Sequence, residues 1–166
     1  MMDNLAEVED LFQRALAAFS AGDLERAEEL ALRLLDIDAN NIDGLSLLVS
    51  VHQQGGNMEK ALESAKRVVE LDPGNLHHLN TLGYLHLLLN QWEEAEKCYT
   101  HAVTIPGAPP TVFLNLAWAL IELDKEEKAI QQLRIALEHS LEGELFDMIR
   151  RESQYKKLLP LIDKLQ

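Results

Sequence analysis

The residues able to do chemistry in this chain are few and scattered. Six histidines stand at positions 52, 77, 78, 86, 101 and 139, and the one cysteine is Cys98. A transition-metal site needs several such side chains converging at bonding distance. Only His77 and His78 are neighbours, and adjacent residues of a helix point to different faces. Cys98 has no base that the sequence can assign to it, so it reads as a small buried hydrophobe and not as a nucleophile. The acid pairs Glu28-Glu29 and Glu93-Glu94 would need to face each other across a pocket to work as acid and base. Their spacing suits solvated helix faces instead. Gly55-Gly56 lacks the rest of a phosphate-cradling or dinucleotide fingerprint, and no zinc-protease helix motif or paired-cysteine motif is present. The sequence therefore predicts no catalytic residue, no metal site, no cofactor and no enzyme activity.

The composition says what kind of element must carry these residues. Of 166 residues 47% are hydrophobic but only 5% aromatic, and Ala and Leu, both strong helix formers, dominate. The length suits one compact domain or a short repeat array. The formal net charge is -13, and without a basic stripe no nucleic-acid partner is expected. Residues 1–43 hold eleven acidic side chains against Arg14, Arg26 and Arg33, whereas the tail carries Arg150, Arg151, Lys156, Lys157 and Lys164. The N-terminus lacks the charged and apolar regions of a signal peptide, and no window approaches eighteen apolar residues, so no membrane insertion is expected. A single cysteine allows no intrachain disulfide and suits a reducing, cytoplasmic compartment.

A repeat organises the chain. Ala27, Ala61, Ala95 and Ala129 are each 34 residues apart, with no insertion between them. Ala15, Val49, Gly83 and Ala117 keep the same step, as do Leu11, Leu45, Leu79 and Phe113. So do Ala31, Ala65, Tyr99 and Leu133, and Leu34, Val68, Ala102 and Ala136. Each repeat splits into two amphipathic stretches of about fourteen residues, the helical period being 3.6. Turns fall at Ala21-Gly22-Asp23, Gln54-Gly55-Gly56-Asn57, Asn90-Gln91 and Asp124-Lys125, where Gly, Asn and Asp suit a left-handed backbone. Asp23 and Asn57 are N-cap candidates. The string Pro106-Gly107-Ala108-Pro109-Pro110 is the most rigid of the turns between repeats.

These columns resemble the tetratricopeptide (TPR) family, whose repeat of 34 residues carries a Leu-Gly pair, an aromatic, then Ala, an aromatic, Ala and Pro. Residues 76–109 match best, with Leu79, Leu82-Gly83, His86, Ala95, Tyr99 and Ala102, and Pro106 one place early. His86, and His52 one repeat before it, stand in the aromatic column and are expected in the core. The resemblance implies an all-α fold, a right-handed superhelical solenoid of about four helix-turn-helix repeats with a C-terminal capping segment. The division it implies is a lead-in at 1–7, repeats at 8–41, 42–75, 76–109 and 110–143, and capping helices at 144–166. In the cap, Leu145, Phe146, Met148 and Ile149 are expected to cover the fourth repeat, and Arg150, Arg151, Lys156 and Lys157 to stay wet.

The family also places the partner on the first helix of each repeat, facing a concave groove. The positions this implies here begin with Phe12, Gln13, Leu16 and Phe19, then Ser46, Ser50, Gln53 and Gln54. They continue with His77, Asn80, Thr81, Tyr84 and Leu88, then Leu114, Asn115, Trp118, Ile121 and Glu122. The expected partner-binding residues are Gln53, His77, Asn80, Thr81, Tyr84, Asn115, Trp118 and Glu122. Asn can donate to and accept from a peptide backbone, and Tyr and Trp supply large contact areas with polar tips. The cations with which one subgroup clamps the C-terminal tails of heat-shock chaperones are missing: the matching positions hold Phe12, Leu16, Leu47, His77 and Thr81 in one frame, and Ser46, Ser50, Thr81, Thr111 and Asn115 in the frame shifted by one repeat. The leading expectation is a scaffold or adaptor for a peptide or helix of another protein. Self-association of the acidic first repeat with a basic tail, and a secretion-type chaperone for an exported client, are the alternatives.

Overall fold

The computed structural model describes residues 2–140, 144–162 and 164–165. The end of the expected fourth repeat at 141–143, Met1 of the lead-in, and residues 163 and 166 of the expected cap lie outside the described residues. The chain is all-α, with no strand among the described residues. It forms two compact units, residues 1–78 and 79–166.

In the N-terminal unit the helices are α1 (Met2–Ser20), α2 (Leu24–Ile37), α3 (Ile42–Gln54) and α4 (Met58–Leu71). Residues 2–7, read as a lead-in, are the first turns of α1. Its core joins Leu11 and Ala15 of α1, Ala27, Leu30, Ala31 and Leu34 of α2, and Leu47, Leu48 and Val51 of α3. Each fully buried leucine contributes roughly 1.5–3 kcal/mol relative to exposure. Asp23 caps α2 by accepting from the Arg26 N–H, Asn41 caps α3 from Gly44, and Asn57 caps α4 from Lys60.

The helix α5 (Leu76–Leu88) begins in the first unit and has its body in the second. Then come α6 (Trp92–Ala102), α7 (Pro110–Glu122), α8 (Glu126–Glu138), α9 (Glu144–Arg151), a 3-10 helix at Ser153–Leu158 and α10 (Leu159–Ile162). The second helix of the third repeat, α6, has 11 residues where α2 and α4 have 14. Beyond it the chain turns through Gly107 (φ 86°) into the extended Pro109, and Pro110 opens α7 with its φ already helical. Leu145 and Ile149 are buried, Phe146 and Met148 are half-buried, and Arg150, Arg151, Lys156 and Lys157 are exposed.

The turn inside each helix pair is the same four times. Gly22, Gly56, Asn90 and Asp124 have φ of 81°, 75°, 55° and 57°. The next N–H then returns to the carbonyl five residues back: Asp23 to Ala18, Asn57 to His52, Gln91 to His86 and Lys125 to Leu120, at 2.9, 2.8, 2.9 and 2.9 Å. That six-to-one bond closes the first helix in a Schellman motif and starts the second.

The helices cross where side chains are small. Ala27, Ala61, Ala95 and Ala129 are wholly shielded from solvent. At Gly83 the approach is tightest: a Cβ there would lie 2.8 Å from Cε2 and 2.9 Å from Cζ of the fully buried Tyr99. Gly83→Ala is therefore expected to cost about 1–3 kcal/mol by overpacking. Gly74→Ala, with nothing within 4 Å of the added carbon, should stay within about 0.5 kcal/mol of wild type. Urea unfolding of both variants checks the contrast, and equal stabilities would contradict the close crossing.

Candidate protein-interaction site

In the N-terminal unit the first helices of the pairs offer an apolar and a polar stretch. On α1, Phe12 and Phe19 are half-buried against the core and Leu16 is exposed. On α3, Ser46 and Ser50 are half-buried, Ser50 donating to the Ser46 carbonyl at 3.2 Å, and Gln53 is half-buried beyond them. His77 is exposed in the first turn of α5, where its N–H donates to Asn75 Oδ1 at 3.0 Å, and its ring lies 5.9 Å from that of His78.

In the C-terminal unit Asn80, Thr81 and Tyr84 are half-buried on α5. The buried Oδ1 of Asn80 has no hydrogen-bond partner among the described residues, whereas its backbone carbonyl accepts from the Tyr99 hydroxyl at 3.3 Å. The residues expected on α7 are placed differently. Leu114 is wholly inside the core, and Asn115 and Trp118 are buried. Tyr155 of the 3-10 helix covers the last two. Its hydroxyl donates to Asn115 Oδ1 at 2.7 Å, and its ring meets Trp118 edge-on at 5.6 Å between centroids. Asn115 Nδ2 in turn donates to the Tyr99 hydroxyl at 3.1 Å. Trp118 also lies 6.0 Å from Trp92. Glu122, its side chain only 15% exposed, pairs with Lys157 at 2.5 Å. Burial pushes the Tyr155 phenol up to about 12, and that of Tyr99 higher still.

Tyr155, Trp92 and Tyr99 were not among the residues the sequence singled out for this site. Tyr99 was legible as a core column. Tyr155 lies beyond the last repeat, where no column assigns it a neighbour.

A second feature belongs to the N-terminal unit. A groove of about 260 Å³ is lined by Leu32, Leu35, Leu45 and Leu48, with Glu28, His52, Lys60, Glu63, Ser64 and Arg67 among its polar groups. His52 is buried, as its column predicts, and its Nε2 lies 3.1 Å from Glu28 Oε1, which also accepts from Lys60 Nζ at 3.0 Å. This corrects the reading of Glu28-Glu29 as a solvated pair: Glu29 is exposed beside Arg26, but Glu28 is half-buried and engaged. His86 is likewise buried, with Nδ1 2.7 Å from Gln91 Oε1. Cys98 is half-buried. Among the described residues no group of three or more His, Cys, Asp or Glu side chains is placed to hold a metal.

Hydrogen bonding from His52, then from Lys60, holds the Glu28 carboxyl below its ordinary value of 4.5. Its folded pKa lies below its unfolded one, so its stabilisation is present above that unfolded value and is lost as pH falls through the depressed one. Glu28→Gln should cost up to about 1 kcal/mol at pH 7, as partly exposed ion pairs do, and the gap to wild type should narrow steadily once pH falls below 4.5. Thermal melts across the acid range check this, and a gap that stays constant or widens on acidification contradicts it.

Comparison with known proteins agrees with this geometry. The tetratricopeptide repeat pattern matches residues 42–75 and 79–108. No curated protein matches the chain in sequence. Among solved structures, a MamA protein superposes with a TM-score of 0.80 at 18% identity, covering 95% of this chain and 85% of its own. A MamA from AMB-1 gives 0.74 at 21% identity, covering 83% of this chain and 76% of its own. Residues from 41 onward of MamA from Desulfovibrio magneticus RS-1 give 0.70 at 20% identity, covering 79% of this chain and 74% of theirs. Residues 42–75 and 79–108 are thus tetratricopeptide repeats, and the chain has the tetratricopeptide fold.

Proposed function

We propose that this chain is a protein-interaction scaffold whose repeats, 8–41, 42–75, 76–109 and 110–143, take a peptide or helix of a partner protein on their first helices. The observation that carries the reading is hydrogen-bonding capacity on α5 that the described chain does not use. Thr81 and Tyr84 stand half-buried on one helix with their hydroxyls reachable from solvent, and a peptide backbone could satisfy both. Gln53 and His77 are polar groups of the first unit, whereas Asn115, Trp118 and Glu122 of α7 would meet a partner only where Tyr155 and Lys157 leave them. No residue is assigned a catalytic role, and the lone Cys98 fits a reducing, cytoplasmic setting.

Capture from a lysate of the source cell tests the reading. Wild type is compared with Thr81→Arg/Tyr84→Ala, shown to be folded by circular dichroism. A client protein retained by the wild type and lost by the variant is the expected result. The same clients on both would sink the assignment of α5 as the working face.

Self-association is a second reading, favoured by the charge distribution. The first 43 residues are strongly acidic, and α1 exposes Leu5 (73%) and Leu16 (38%) beside those acids. Of the tail cations, Lys157 and Lys164 are used internally on Glu122 and Glu126. Arg150, Arg151 and Lys156 are exposed. On this reading the sedimentation coefficient rises with protein concentration at low salt and falls back in 0.5–1 M salt, where screening shortens to a few ångström, roughly 3 Å at 1 M. A monomer at every concentration would remove it.

A further inference from the structure

We propose that the 3-10 segment Ser153–Leu158 is an intramolecular ligand of α7. A partner taken at that face would then carry the same chemistry, an aromatic hydroxyl with a cation two residues after it, and would displace the segment. This rests on the scaffold reading and names the ligand for its C-terminal part.

The hydrogen bonds at the contact run in one direction. Tyr99 gives its hydroxyl proton to the Asn80 carbonyl, so its oxygen is left to accept, and the Asn115 amide must turn Nδ2 toward it. That leaves Asn115 Oδ1 as an acceptor aimed at the incoming segment, where Tyr155 meets it at 2.7 Å. A neutral hydroxyl donor fits this place and a carboxylate does not. Trp118, backed by Trp92, meets the incoming ring in a T-shaped arrangement at an interplanar angle of 83°, which aromatic pairs favour. Glu122 is a carboxylate largely removed from water, so it selects a cation, and Lys157 supplies one from an exposed position.

A lid that only shielded the last repeat would need apolar side chains alone. The cap has those in Leu145 and Ile149 of α9 and in Leu158, Leu161 and Ile162. Tyr155 and Lys157 add directional contacts to a buried amide and a shielded carboxylate, and these are the contacts of recognition. The segment presenting them is weak as a structure of its own. It is a six-residue 3-10 helix between an α-helix of eight residues and one of four, and such short pieces depend on what they dock against. Because α9 keeps separate anchors in Leu145 and Ile149, the 3-10 segment can leave α7 while α9 stays.

Both tryptophans of the chain, Trp92 and Trp118, lie at this contact, so intrinsic fluorescence reads its occupancy. A synthetic peptide of residues 152–162 is titrated into full-length wild type and into Tyr155→Ala/Lys157→Ala. The double variant is expected to bind the peptide saturably, at least tenfold more tightly than the wild type, whose site is already filled. The same peptide with Ala for its tyrosine should not bind, and adding Glu122→Gln to the variant should weaken binding several-fold. Failure of the folded double variant to bind, or equal binding by wild type and variant, overturns the proposal and makes the segment a plain cap. If the double variant does not fold, Tyr155→Phe removes only the hydroxyl; it should shift peptide affinity in the same direction, and an unchanged affinity again overturns the proposal. The titration needs no cellular partner, so its failure leaves the capture experiment standing, and failure of that experiment leaves the peptide result intact.

Discussion

Everything in this fold depends on how closely the two helices of a repeat can cross. At Gly83 there is no room for one more carbon, because the Tyr99 ring already occupies the space. The alanines at 27, 61, 95 and 129 are wholly shielded from solvent. A crossing this close needs the second helix to leave the first at one fixed angle. The left-handed residue at 22, 56, 90 and 124 sets that angle, together with the bond returning from the residue after it. Crossing and turn are two halves of one constraint, and both recur every 34 residues.

The close crossing frees the first helix of each pair from serving the core on all sides. Its small column meets the second helix, its leucines fill the interior, and the remaining face can carry polar and aromatic groups. In the C-terminal unit that division is not complete. Asn115 and Trp118, on positions that the family turns toward a partner, are inside, and Tyr155 and Lys157 have taken up their chemistry. Asn115 is a hinge between two roles: one end of its amide belongs to the core through Tyr99, the other to whatever lies on α7.

The N-terminal unit shows how a core column can acquire a polar duty. His52 is buried where its column requires bulk, yet it also engages Glu28, which lies 24 residues earlier on α2 and is shared with Lys60 of α4. His86, in the same column one repeat later, instead finds Gln91 in the adjoining turn. Two histidines in one column are thus equivalent in packing and different in electrostatics, because their polar neighbours sit at positions that do not repeat.

The sequence by itself determined the helix pairs, their turns, the buried columns and the two caps at Asp23 and Asn57. Each is a local or periodic requirement: a small residue at a crossing, a residue tolerant of positive φ, or an oxygen able to accept from a helix N-terminus must appear at its own place in every copy. Residues such as Gly83 and Asn90 therefore declare their roles by spacing alone. Only the tertiary structure decided which groups remain open to a partner. Tyr155 meets Asn115 across 40 residues of chain and Lys157 meets Glu122 across 35. Glu28 joins His52, which a helical pattern alone would have left in plain packing. Such pairings join segments that share no period, so nothing in the spacing of one announces the other, and they form only when the folded backbone brings the two together.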